Sequence, residues 1–109
     1  QDLQLLDQRK FAVRVYVLIA RVRPLLVLLH SASYVKVCGL EYDAAHFSQQ
    51  DLFRHVTNQE FQKKGSQAYA DWKVIPVMTL EEASERLGRP EGAQAWLAAF
   101  WDQLRCICR

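Results

Sequence analysis

Three short stretches carry side chains that could do chemistry. In Arg9-Lys-Phe-Ala-Val-Arg14, an extended backbone puts Lys10 and Arg14 on one face, four residues and roughly 13 Å of rise apart. Cations presented from a sheet suit the phosphates of a nucleotide, where Arg offers a fork and Lys a point charge. The simpler account is an exposed face whose cations hydrate while their stems cover apolar neighbours, and composition alone favours it. In Arg54-His-Val-Thr-Asn58, a His, a Thr and an Asn stand close enough to surround a ligand hydroxyl or amine. They are equally the residues of an ordinary turn. The pair Lys63-Lys64 before Gly65 reads first as a solvated loop and second as a contact for an acidic partner, worth only about 1 kcal/mol per exposed pair. His30 and His46 have no chemical neighbours in sequence and are assigned to structure or solvent. There is no Gly-rich phosphate loop, no metal-spaced His/Cys set, and no Ser or Cys with an evident base.

The elements that must position these residues follow from periodicity. Phe11, Val13, Val15, Val17 and Ile19 form one alternating apolar row, the pattern of a strand with one face on a core. Lys10, Ala12, Arg14, Tyr16 and Leu18 share the other, mixed face. An Arg-rich loop ending in Pro24 leads to the apolar run Leu25 to Leu29, and a Ser31-Ala-Ser33 turn leads to a third strand, Tyr34 to Cys38. In that strand Val35 and Val37 face opposite to Lys36. Short connections predict an antiparallel β-meander. Gly39 to Gly65 reads as loop with one short helix near Asp51 to His55. Two helices close the chain: one opens on the capping box Thr79-Leu-Glu-Glu82, with Gly88 placed as its C′ glycine. The other carries Ala93, Leu97, Phe100, Trp101, Leu104, Ile107 and Cys108 at helical spacing. The expected class is α+β, a meander followed by two helices.

Bulk properties narrow the partners. The 109 residues are half apolar and 11% aromatic, enough for a packed core. A net charge of +2, from 14 basic and 12 acidic residues, argues for neither nucleic acid nor membrane. The apolar stretch Val13 to Leu29 is broken by Arg14, Arg21, Arg23 and Pro24, so it reads as core strands rather than a membrane helix. Three cysteines, with Cys106 and Cys108 about 200° apart around a helix, read as reduced, packed thiols. The chain opens on Gln1 and ends at Arg109 within an apolar periodic segment, which suggests an internal piece of a larger protein.

In their order, these segments resemble the tubulin–tyrosine-ligase-like family. The family strand lysine-phenylalanine-aspartate-isoleucine-arginine stands here as Lys10-Phe-Ala-Val-Arg14, followed by Val15-Tyr-Val-Leu-Ile19. A second family segment, apolar residues leading to glycine-x-valine/leucine-arginine, is matched loosely by Leu25 to Leu29 and Tyr34-Val-Lys36. The third, histidine-leucine-threonine-asparagine, appears as His55-Val-Thr-Asn58. The continuation Gln59-Glu-Phe-Gln-Lys-Lys64 is similar to the polyglycylation branch, and a tryptophan followed by two helices fits from Trp72 onward.

The resemblance implies an ATP-grasp fold and an ATP-dependent ligase that joins glycine, glutamate or tyrosine to tubulin or another protein carboxylate through an acyl phosphate. By position, Lys10, His55, Thr57 and Asn58 would line the nucleotide site. Arg14 and Lys36 would meet the terminal phosphate or the acceptor carboxylate. ATP and Mg²⁺ are the implied cofactors, with phosphate-gripping lysines expected upstream of Gln1 and the metal's carboxylates downstream of Arg109, and no metal ligand within the chain. Tubulin or microtubules and an amino acid are the implied partners, in the cytoplasm, at the cytoskeleton or in a cilium. Two departures stand out: Ala12 replaces the family aspartate, and Lys36 replaces an arginine and its bidentate geometry. They keep open a catalytically silent pseudoenzyme that binds tubulin or nucleotide, beside a small α+β interaction domain of accidental similarity.

Overall fold

The alternating row that begins at Phe11 does not run as one strand. In the computed structural model, which describes residues 3–65, 77–88 and 92–108, it breaks after Arg14 into β1 (Phe11–Arg14) and β2 (Val17–Val22). Three strands follow these in the chain, β3 (Leu25–Leu29), β4 (Tyr34–Val37) and β5 (Val77–Thr79). The helices are α1 (Leu52–His55), α2 (Gln59–Gly65), α3 (Leu80–Gly88) and α4 (Ala93–Ile107). The class is α+β, with antiparallel strands in two sheets followed by helices. The strands do not form one continuous meander: β2 and β3 pair with each other, while β4 lies between β1 and β5. The Cys38 N–H donates to the Lys10 carbonyl at 2.9 Å, joining the end of β4 to the start of β1 as an antiparallel pair requires. The helix α2 and the strand β5 fall where no regular element was expected, and Trp72 lies outside the described residues.

The chain divides into two compact units, Gln1–Ala12 with Val35–Met78, and Val13–Tyr34 with Thr79–Arg109. The core of the first is built on β4. Val35 and Val37 are fully buried and Cys38 beside them is sealed, while Lys36 between them is half-buried, the alternation a pleated strand dictates. Leu6 joins this core beneath a tight turn, in which Leu6 and Arg9 exchange both backbone hydrogen bonds at 2.9 Å. The turn residues Asp7 and Gln8 have φ of 49° and 63°, left-handed backbone that the right-handed strand twist favours in two-residue turns.

In the second unit, Val17 pairs with Leu29, Leu18 with Leu28 and Ile19 with Val27; Ala20 is then skipped, a bulge, before Arg21 meets Leu26. Every residue of β2 is exposed, including Val17 at 50% and Ile19 at 62%. The apolar row therefore reports a shared face from Phe11 to Val15 only; beyond Tyr16 nothing covers it among the described residues. The capping box forms as expected: Thr79 N–H donates to Glu82 Oε2 at 2.9 Å, and Glu82 N–H to Thr79 Oγ1 at 3.1 Å. From there Leu80, Ala83 and Ser84 turn one buried stripe of α3 inward, and α3 packs on α4. On α4, Trp96 and Phe100 stack at 5.6 Å, and Ile107 is 80% exposed, outside the apolar stripe that its spacing predicts.

Candidate functional site

Lys10 leaves the start of β1 half-buried, its ammonium 5.0 Å from the centre of the Tyr42 ring. The turn before β1 fixes that ring, because the Tyr42 N–H donates to the Gln8 carbonyl at 2.8 Å. Tyr42 also meets the His55 imidazole, ring centres 5.7 Å apart and nearly perpendicular. Tyr42 thus links two expected site residues that stand 45 positions apart in the chain. Phe47 stacks on His55 at 4.5 Å and leaves its remaining surface open, being 75% exposed. His55 lies 3.2 Å through Nε2 from the His46 carbonyl, a contact that assigns the proton to Nε2. Its Nδ1 is shielded from solvent and has no partner among the described residues.

The loop that holds these rings is tied down by charge. Asp43 accepts from the Ala45 N–H at 2.8 Å and pairs with His46 at 2.7 Å. The Ala45 N–H first, and His46 second, hold its carboxyl below the usual aspartate value of 3.8. Asp51 accepts from the Ser48 N–H at 2.8 Å and from Arg54 Nε at 3.3 Å; hydrogen bonds from Ser48 lead the causes that lower its carboxyl too. Arg54 also reaches the Glu41 carbonyl at 2.8 Å, so the guanidinium is structural. His46 and His30 hold local hydrogen bonds, as expected, with Asp43 and with the Ala32 N–H.

The remaining expected residues separate. Asn58 is the N-cap of α2: its Oδ1 accepts from the Glu60 N–H at 2.9 Å and the Phe61 N–H at 3.4 Å. Thr57 is half-buried, with no hydrogen bond to its hydroxyl among the described residues. Lys36 is half-buried on β4, on the face opposite the buried valines. Arg14, exposed at the end of β1, and exposed Ala12 take the face that alternation predicts, but Arg14 falls in the second unit. Lys63 pairs with Glu60 at 3.3 Å on the surface of α2, an ordinary solvated ion pair.

Sequence reasoning missed Tyr42 and Gln62. Tyr42 sits in a stretch without periodicity. Gln62 is fully buried, and glutamine in a polar segment gives no sign of that. Cys38 is buried among apolar neighbours, which pushes its thiol up to about 11 against the opposing pull of Lys10, so it is an inert packed thiol. In the second unit an open groove of about 320 Å³ lies among Leu29, His30, Ser31, Trp101 and Arg105, and it holds none of the expected residues.

Among the described residues no three His, Cys, Asp or Glu converge to hold a metal ion, and no helix is long and apolar enough to cross a membrane. No solved structure matches the chain. The model of the tubulin-tyrosine ligase family matches residues 4–100. A match of that extent rules out an unrelated interaction domain of accidental similarity: the chain belongs to the tubulin-tyrosine ligase family.

Proposed function

We propose that this chain is part of an ATP-grasp ligase that uses ATP to add an amino acid to a carboxylate of tubulin, and that the Lys10–Tyr42–His55 surface faces the nucleotide. Ligases of the tubulin-tyrosine ligase family are ATP-dependent and act on tubulin-related substrates, which supports the coarse reading. The observation that carries the finer one is the ring cluster itself, in which Tyr42 brings the Lys10 ammonium and the His55 imidazole together. Lys10 would meet a phosphate, the nucleotide would lie against the ring cluster, and the half-buried Thr57 hydroxyl would add a further contact. Asn58 keeps only its amide N–H₂ for a ligand, because its oxygen caps α2. Bound ATP supplies a phosphoryl group that activates the acceptor carboxylate for attack by an amine. Arg14 and Lys36 would neutralise charge on phosphate or carboxylate.

We assign the ligands of the Mg²⁺ that accompanies ATP to other residues; among the described residues no three His, Cys, Asp or Glu converge. The similarity of Gln59 to Lys64 to the polyglycylation branch supports glycine as the amino acid added. Such a substrate would put the protein on cytoplasmic or ciliary microtubules. Ala12 favours a second reading, a silent nucleotide- or tubulin-binding member, since this exposed strand position offers no acceptor side chain.

The full-length protein, given ATP, purified microtubules and labelled glycine, glutamate or tyrosine, distinguishes these readings. Incorporation of one amino acid, lost in Arg14→Ala, supports the ligase. Binding of ATP or co-sedimentation with microtubules without incorporation supports the silent member, and the absence of incorporation, ATP binding and microtubule binding together overturns both. Lys10→Ala should weaken ATP binding about tenfold, the worth of a charge-assisted hydrogen bond.

A further inference from the structure

The most connected buried polar group among the described residues lies beside the expected site rather than in it. The Gln62 side chain is completely buried on α2. Its Nε2 donates to the Phe53 carbonyl at 3.0 Å and to the Val56 carbonyl at 2.6 Å, while its Oε1 accepts from the Gly39 N–H at 3.3 Å. One carboxamide therefore joins the chain just past β4 to the carbonyls on both sides of His55. The orientation of the amide is dictated by its partners, since a flipped group would set an oxygen against two carbonyl oxygens. Gly39 is required for the approach: a Cβ there would stand 2.9 Å from Oε1. A side-chain oxygen can usually swing away from such a clash, but this one is held by the two bonds at its Nε2, so moving it breaks them.

We propose that Gln62 is a positioning residue, whose carboxamide locks the His55–Thr57 segment to the end of β4 and so sets where the His55 imidazole and Thr57 hydroxyl stand. The function of that lock rests on the nucleotide reading given above; the lock itself does not. Only an amide of this length supplies two donors and one acceptor here. A carboxylate at position 62 would repel both carbonyls. Protonated, it would regain one donor and keep the acceptor.

The test uses the full-length protein with two variants, Gln62→Glu and Gly39→Ala, and two readouts below the melting temperature. The first is calorimetric titration with ATP. The second is the imidazole ¹⁵N spectrum of His55, assigned by its loss in His55→Gln. Both variants should weaken ATP binding about tenfold, the scale of losing one hydrogen bond to the ligand, and both should shift the His55 resonances. Lowering the pH toward 6 should restore affinity in Gln62→Glu, relative to wild type at the same pH, and leave Gly39→Ala unrescued. If both variants bind ATP as wild type does and His55 is unmoved, the proposal is overturned. If wild type binds no ATP, the nucleotide reading fails, and the His55 spectrum still decides whether the lock exists. Should Gln62→Glu fail to fold, Gly39→Ala carries both readouts.

Discussion

Two valines that the sequence treats as equals should differ sharply in what they contribute to stability. Val17 and Val37 both stand in alternating apolar rows, and period-two reasoning buries both. In the structure Val37 is 1% exposed on β4, and Val17 is 50% exposed on β2. Truncation to Ala removes two methyl groups, roughly 1.6 kcal/mol of transfer free energy at about 0.8 kcal/mol each when fully buried. At Val37 the surrounding core cannot collapse completely into the space, so a cavity contribution raises the cost to about 2–3 kcal/mol. At Val17 about half of the side chain is already in water and solvent fills the gap, so the cost should stay below about 0.8 kcal/mol. Urea unfolding of this chain followed by circular dichroism gives both values, provided the slopes agree between variants. Equal losses, or a larger loss at Val17, would refute the view that the apolar row stops being a core face after Tyr16.

Asn58→Ala should cost about 1 kcal/mol of stability through loss of the α2 cap, and Asn58→Ser should recover most of it; if Ser also restores ATP affinity in the full-length protein, capping is the whole role of Asn58. Asp43 has its carboxyl depressed below 3.8, so its stabilisation is fully present above that value and lost as pH falls through the lower folded value. Asp43→Asn should therefore flatten the acid limb of a stability-against-pH curve, an effect that carboxyl NMR of the unmodified chain can locate. Cys38, with its thiol near 11, should resist iodoacetamide at pH 8 while exposed Cys106 reacts, as peptide mass mapping would reveal. In the full-length protein, Ala12→Asp should tighten ATP about 2- to 13-fold if the position faces nucleotide, and calorimetry showing no gain would remove Ala12 from the site.

Much of this architecture is written locally. Alternation placed β1 and β4 and the faces of Val35, Lys36 and Val37, because a pleated strand leaves no other arrangement. Thr79 and Glu82 announced the start of α3, since a capping box is satisfied within four residues. The family was legible for the same reason: its motifs are short runs, and their order survives in one dimension. Tertiary structure decided the rest. Periodicity says which residues share a face, not whether anything covers it, so the exposure of the β2–β3 hairpin could not be read from Val17 and Ile19. His55-Val-Thr-Asn58 reads as one ligand-binding run, yet the backbone N–H groups of α2 claim the Asn58 oxygen, because a helix start leaves donors that need partners. Tyr42 joins Lys10 to His55, and Gln62 joins Gly39 to Val56, only after the chain has brought distant segments within hydrogen-bonding reach. Side-chain contacts across 23 or 32 residues leave no local pattern to detect, since their partners are chosen by packing rather than by spacing.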